Sequence, residues 1–99
     1  MRGFIEAYGD SRFVAAWEQD PDRVVNRAGF RKQAAGGWEY YVLPEQWRAE
    51  LARGFDASAL AFAMIERGLM TGEVGKSSAR VKVRGQQMRV YHVLSKILG

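Results

Sequence analysis

The chain has no cysteine and only one histidine. Disulfide staples and thiolate metal sites are therefore excluded, and His92 lacks the cysteine or second histidine that a zinc site needs. A reducing interior is permitted. Proline is nearly as scarce, at Pro21 and Pro44 alone. No apolar run approaches the roughly 20 residues that cross a bilayer. Met1-Arg2-Gly3-Phe4 is not followed by the long apolar stretch of a secretory signal. These absences point to a soluble, cytoplasmic domain without a membrane partner. Of its 99 residues, 47% are apolar. That is enough for one packed core and too little for two, so residues 1–99 are read as a single domain.

Acid is missing from one end. Residues 1–75 carry nine Lys/Arg and eleven Asp/Glu, which is −2; residues 76–99 carry six Lys/Arg and no acid, which is +6. The sum is the net +4, and the last acid is Glu73. Such asymmetry favours a polyanion surface at the C-terminal end, against the plainer reading of a basic domain keeping itself soluble.

Periodicity and breakers lay out the elements. Residues 2–8 read as one or two helical turns stopped by Gly9, which suits the left-handed position after a helix. So short a helix is marginal alone, which fits a chain that begins inside a longer protein. Ser11–Val14 reads as a short strand, and Glu18–Asp22 as a turn around Pro21. Residues 29–43 read as a hairpin: Gly29–Lys32, a loop at Ala34–Gly37, then Trp38–Leu43, rich in the aromatic and branched residues that strands favour. Trp38, Tyr40 and Val42 share one face, Glu39 and Tyr41 the other.

Pro44 suits the first position of a helix reaching about Arg53, with Trp47 and Leu51 on its inner side. Gly54 ends it, and Asp56 caps a second helix carrying Leu60, Ala61, Met64 and Ile65. That helix stops at Gly68. The two endings, Ala52-Arg53-Gly54-Phe55 and Glu66-Arg67-Gly68-Leu69, rhyme: a cation, a left-handed glycine, and an apolar residue that folds back. Ala57–Ile65 offers only Ser58 as a polar side chain, so this helix reads as buried nearly all round.

The last segment is the clearest. Ala79–Arg84 and Met88–Val93 pair as a hairpin. A two-residue loop at Gly85-Gln86 sets Val83 against Met88, Lys82 against Arg89, Val81 against Val90 and Arg80 against Tyr91. A longer loop displaced by an even number of residues stays open, because it keeps the same faces. One face is then Val81, Val83, Met88 and Val90; the other is Arg80, Lys82, Arg89 and Tyr91, with Arg84 at the tip. The expected class is α+β and winged-helix-like: helix, strand, helix-turn-helix and a C-terminal hairpin as the wing, with residues 29–33 as an extra N-terminal hairpin arm. A different α+β arrangement of the same elements is the alternative.

Three motifs carry possible chemistry. GEVGKSS, residues 72–78, echoes a phosphate-binding loop but has Met70 where that loop needs its first glycine. A helix precedes it where a strand belongs, and a basic strand follows where a helix should face the phosphates. Asp20-Pro21-Asp22 pairs two carboxylates with no further hard ligand beside them, which reads as a solvated turn. His92 has no evident nucleophile to serve. No catalytic residue, cofactor or metal is therefore expected. Trp38, Tyr40, Tyr41 and Trp47 suit a core better than a stacking platform, with Tyr41 the most exposed.

The basic hairpin face is the strongest functional signal. Like charges opposite each other cost stability, and a bound phosphate would offset that cost. Lys76, Arg80, Lys82, Arg84 and Arg89 are candidate phosphate contacts, with Tyr91 beside them to stack on a base or an arginine. Arg48, Arg53 and Arg67 are possible extensions of the patch.

A resemblance adds context. Asn26–Arg31, Gly37–Trp47, Glu66–Leu69 and Arg89–Tyr91 resemble the C-terminal end of the family called domain of unknown function 927. The likeness spans nearly all of this chain but only the tail of that family. Its members are long phage-, plasmid- and island-associated proteins with a helicase-like ATPase core, often joined to primase-type domains. The resemblance implies an excised module from a replication setting, with no ATP site or catalytic residue carried over. Two functions follow as expectations: an accessory module binding DNA, single- or double-stranded, for a helicase or primase; or a protein-interaction or oligomerisation module among other replication proteins.

Overall fold

Trp38, Tyr40 and Val42 alternate with Glu39 and Tyr41, and the strand they form buries different partners on its two sides. The structure, a computed structural model, describes residues 2–8, 13–15, 29–83 and 85–98. The expected turn at Asp20-Pro21-Asp22 and the tip residue Arg84 lie outside the described residues.

The chain runs α1 (Arg2–Tyr8), β1 (Phe13–Ala15), β2 (Gly29–Ala34), β3 (Gly37–Val42) and α2 (Pro44–Gln46), which continues as a π turn over Trp47–Leu51. Then come α3 (Ala57–Glu66), β4 (Met70–Thr71), β5 (Ala79–Val83), β6 (Gln86–Val93) and a 3₁₀ turn at Ser95–Leu98. The class is α+β. Strands pair in the order β1-β2-β3-β6-β4, and β5 pairs with β6 as well. β1 runs parallel to β2. The other pairings are antiparallel.

The last strand is thus central. Tyr91–Val93 pair with Val42–Tyr40 of β3, and His92 and Val93 also pair with Thr71 and Met70 of β4. Its earlier part, Gln86–Val90, pairs with β5. The β5–β6 hairpin is therefore continuous with the sheet on which the core is built.

One face of that sheet meets the helices. Ile5, Phe13, Tyr40, Val42, Trp47, Leu51, Ala61, Met70, Tyr91 and Val93 form the principal core. Trp47 is 0% exposed. Its indole stacks on Tyr91 with ring centroids 4.8 Å apart, and Nε1 donates to the Ala57 carbonyl at 3.0 Å. Tyr40 meets Phe13 edge to face at 5.1 Å. Burying rings of this size supplies much of the driving force for so small a core. The other face carries a second cluster of Phe30, Tyr41 and Val90, with Leu43, Val81 and Met88 against it. Tyr41 is buried there, contrary to the expectation that it lies outside, because β6 supplies Val90 and His92 as neighbours.

The helix endings agree with the sequence in part. Asp56 caps α3 by accepting from the Ala59 amide at 2.8 Å. At the other end Gly68 N–H donates to the Ile65 carbonyl and Leu69 N–H to Met64, both at 3.0 Å, with Gly68 at φ +73°. That is a Schellman closure, and Leu69 packs against the core. At the first ending the left-handed glycine is there, Gly54 at φ +86°, but the apolar fold-back is not, since Phe55 stays 70% exposed. There the π turn binds Ala52 N–H to the Trp47 carbonyl, and Phe55 N–H binds only Ala52. The expected all-round burial of α3 also fails. Ala57, Leu60, Ala61, Met64 and Ile65 face the core, while Ala59, Phe62 and Ala63 face out. Both sides are apolar, so composition did not reveal which one was covered.

Candidate nucleic-acid interface

The register of β5 against β6 decides which cations meet. Val83 faces Gln86, Lys82 faces Gln87, Val81 faces Met88, Arg80 faces Arg89 and Ala79 faces Val90. This is displaced by two residues from the expected pairing, and Gln86 belongs to the strand and not to the turn. Gly85 takes φ +83°, a conformation that favours glycine. An even displacement leaves the faces intact. Val81, Met88 and Val90 still point to the second cluster, and Arg80, Lys82 and Arg89 still share the opposite face.

That face changes character along its length. Towards its C-terminal end it carries Tyr91 and Val93, both in the principal core. Tyr91 is 7% exposed under Trp47. The expectation that it stands beside the cations as a stacking residue is corrected: the alternation that puts Tyr91 on their face also carries it beneath the helical layer. Towards the turn the same face opens. Lys82 is exposed, and so is Lys76 in the preceding loop. The Arg80 side chain is 59% exposed, that of Arg89 36%.

Sequence reasoning missed the anion already there. Residues 72–78 link β4 to β5 as a compact loop, closed by Glu73 N–H to the Ser78 carbonyl at 3.0 Å and Lys76 N–H to the Glu73 carbonyl at 2.9 Å. The fold-back brings the Glu73 carboxylate between the two arginines. Its Oε2 lies 3.6 Å from Arg80 Nε, and its Oε1 lies 3.0 Å from Arg89 Nη1. Arg89 Nη1 donates one of its hydrogens to Ser78 Oγ at 3.0 Å, and no donor is aligned on Glu73 Oε1. The contact is therefore a charge pair without a linear hydrogen bond. Ser77 and Ser78 are each only 9% exposed. The like-charge cost of Arg80 opposite Arg89 is offset internally, at least in part. The sequence held one clue, that Glu73 is the last acid before the basic run.

The GEVGKSS loop does not have the surroundings of a nucleotide site. A strand, β5, follows it where a phosphate loop needs a helix. The expectation that no strand precedes it is corrected, since β4 intervenes after α3, although that strand is only two residues long. Val74 at the loop tip is fully exposed.

A second polar group sits on the opposite face of the sheet. His92 Nε2 lies 2.7 Å from Glu39 Oε1, and its imidazole stacks on Tyr41 at 4.4 Å. Burial raises the Tyr41 phenol above its ordinary 10.0, and the Glu39 carboxylate raises it further. On the principal face Arg31 lies over the Trp38 ring at 4.1 Å. Among the described residues no group of three or more His, Asp or Glu is placed to hold a metal. Among them, too, no helix is long and apolar enough to cross a membrane.

Comparison with known proteins finds no matching family model, no matching curated protein and no matching solved structure.

Proposed function

We propose that this domain is a non-catalytic accessory module that binds nucleic acid through its phosphates, in the setting of a phage- or plasmid-type helicase or primase. One observation carries the reading. Arg80 and Arg89 face each other with Lys82 on the same side of the hairpin, and they open to solvent where Tyr91, further along that side, is buried. Arg80 and Arg89 share one carboxylate, Glu73, while Lys82 on the same side and Lys76 in the preceding loop are exposed. Such a surface attracts a phosphate backbone and reads no sequence. In this reading the helix pair and hairpin work as a winged-helix-like unit with the wing along the backbone. α3 stays out of the groove, because it offers base edges little beyond Ser58. The replication setting rests on the likeness of Gly37–Trp47 to the tail of the family named above.

The test is a salt titration with labelled single- and double-stranded DNA. Binding weakens with a slope of about −0.9 in log K per log salt for each phosphate neutralised on duplex. Reversing Arg80, Lys82 and Arg89 to glutamate lowers affinity at least about tenfold at low salt while the circular dichroism of the fold is kept. No binding by the wild-type domain at low salt removes the proposal.

A protein-interaction role is the second reading, favoured by the outer side of α3. On α3 Phe62 is 44% exposed, with Ala59 and Ala63 exposed beside it at i−3 and i+1, and Phe55, just ahead of the helix, is 70% exposed. An apolar helix side left in water is what helix docking uses.

A further inference from the structure

We propose that Arg80, Arg89 and the Ser78 hydroxyl form a discrete oxyanion seat for a backbone phosphate, in which the Glu73 carboxylate is the resident and displaceable occupant. The inference rests on the nucleic-acid reading above and goes further by giving the site a built-in competitor. A carboxylate and a phosphate present the same acceptor geometry to a guanidinium, so one can take the place of the other. The present contacts are those of a partly exposed occupant held by charge and not by aligned hydrogen bonds. Arg80 Nε stands off Glu73 at 3.6 Å, and Arg89 Nη1 lies 3.0 Å from Glu73 Oε1 while donating a hydrogen to Ser78 Oγ. Ser78, itself buried, fixes the Arg89 guanidinium whichever anion is present.

A phosphate arriving at the seat keeps both arginine contacts and frees Glu73 to solvent. The carboxylate swings out beside the loop tip, where Val74 and Gly75 are exposed, while Ser77 and Ser78 stay buried. Surface pairs of this kind are individually weak and screened by salt, so an incoming polyanion competes successfully at low ionic strength. Glu73 then sets a threshold: a single stray anion gains little, whereas a backbone touching Lys76 and Lys82 as well displaces it.

The experiment compares Glu73→Gln with Glu66→Gln in the same DNA titration. Both variants add one unit of net charge, but Glu66 lies exposed at the end of α3, where it makes no described contact with the seat. Glu73→Gln is expected to tighten binding by about 2- to 5-fold and to steepen the salt slope by about 0.9. Glu66→Gln is expected to change either by much less. Arg89→Gln added to Glu73→Gln abolishes most of the gain. Equal behaviour of the two single variants, with the wild type binding, overturns the seat and leaves the nucleic-acid reading standing. If neither the wild type nor Glu73→Gln binds, both fall. Binding by Glu73→Gln alone supports both. Amide shifts of the wild-type protein on adding DNA give a readout that needs no substitution. Movement at Glu73–Ser78 together with Arg80 and Arg89 is expected; movement of the hairpin with a silent loop overturns the displacement of Glu73.

Discussion

Tyr41 shows how one strand position gains chemistry from its neighbours. Alone it is an alternating residue of an aromatic strand. In the fold it is stacked on His92, close to Glu39, and held in its neutral form by burial and by that carboxylate. The sign of the consequence follows from linkage. The phenol is harder to ionise in the folded state than in the unfolded chain, so unfolding releases a proton once pH passes the unfolded value. The contribution is therefore intact below about pH 10 and is lost as pH rises beyond it. Urea melts between about pH 9 and 11 are expected to show stability falling more steeply in the wild type than in Tyr41→Phe. Parallel curves contradict this assignment. Trp47 and Tyr91 make the complementary point: Trp47 was legible as a large ring that a small core needs, but Tyr91 was not, and neither was their 13° stacking, since it joins residues far apart in sequence.

At the scale of elements the sequence was read best where the physics is local. The Asp56 cap and the closure at Gly68 depend on a few adjacent residues, and both lie where capping chemistry puts them. Asp56→Ala is expected to cost about 1 kcal/mol in chemical denaturation, and Asp56→Asn only a fraction of that, because asparagine accepts the same bond. A loss below a few tenths for Asp56→Ala means that α3 is held by packing alone. The β2–β3 hairpin is likewise where expected, with its arms extended to Ala34 and Gly37. The β5–β6 register was harder. Its alternation is compatible with every even displacement, and Arg84-Gly85 and Gly85-Gln86 are both plausible turns. The pairing that forms gives β6 the phase that seats Tyr91 and Val93 in the core.

At the scale of the molecule, the described residues leave two surfaces open after the core is built: the cationic side of the hairpin and the outer side of α3. They support different partners and are separable by experiment. If α3 docks on a second copy or another protein, Phe62→Ser reduces self-association or capture without lowering stability by more than about 0.5 kcal/mol, as expected for an exposed position. Light scattering over a concentration series checks this: a strict monomer at every concentration counts against the self-association form of the reading, and a concentration-dependent mass lost in Phe62→Ser supports it. The triple charge reversal of the hairpin leaves that mass unchanged. The candidate site itself was half legible. Arg80, Lys82 and Arg89 were placed on one face by alternation, but Tyr91 was misplaced and Glu73 was overlooked, because neither burial beneath Trp47 nor the fold-back of residues 72–78 is a property of spacing.

The amino-acid order alone settled the α+β class, the caps, the breaks at Gly54 and Gly68, and the parity of both hairpins. Each of these is fixed by interactions within a turn or across a pleat. Only the tertiary structure decided that β6 runs through the middle of the sheet, that one of two apolar sides of α3 stays wet, and that the basic face carries its own carboxylate. Those outcomes depend on which distant segments compete for the same surface, and that competition is resolved by the total area buried when all of them pack together.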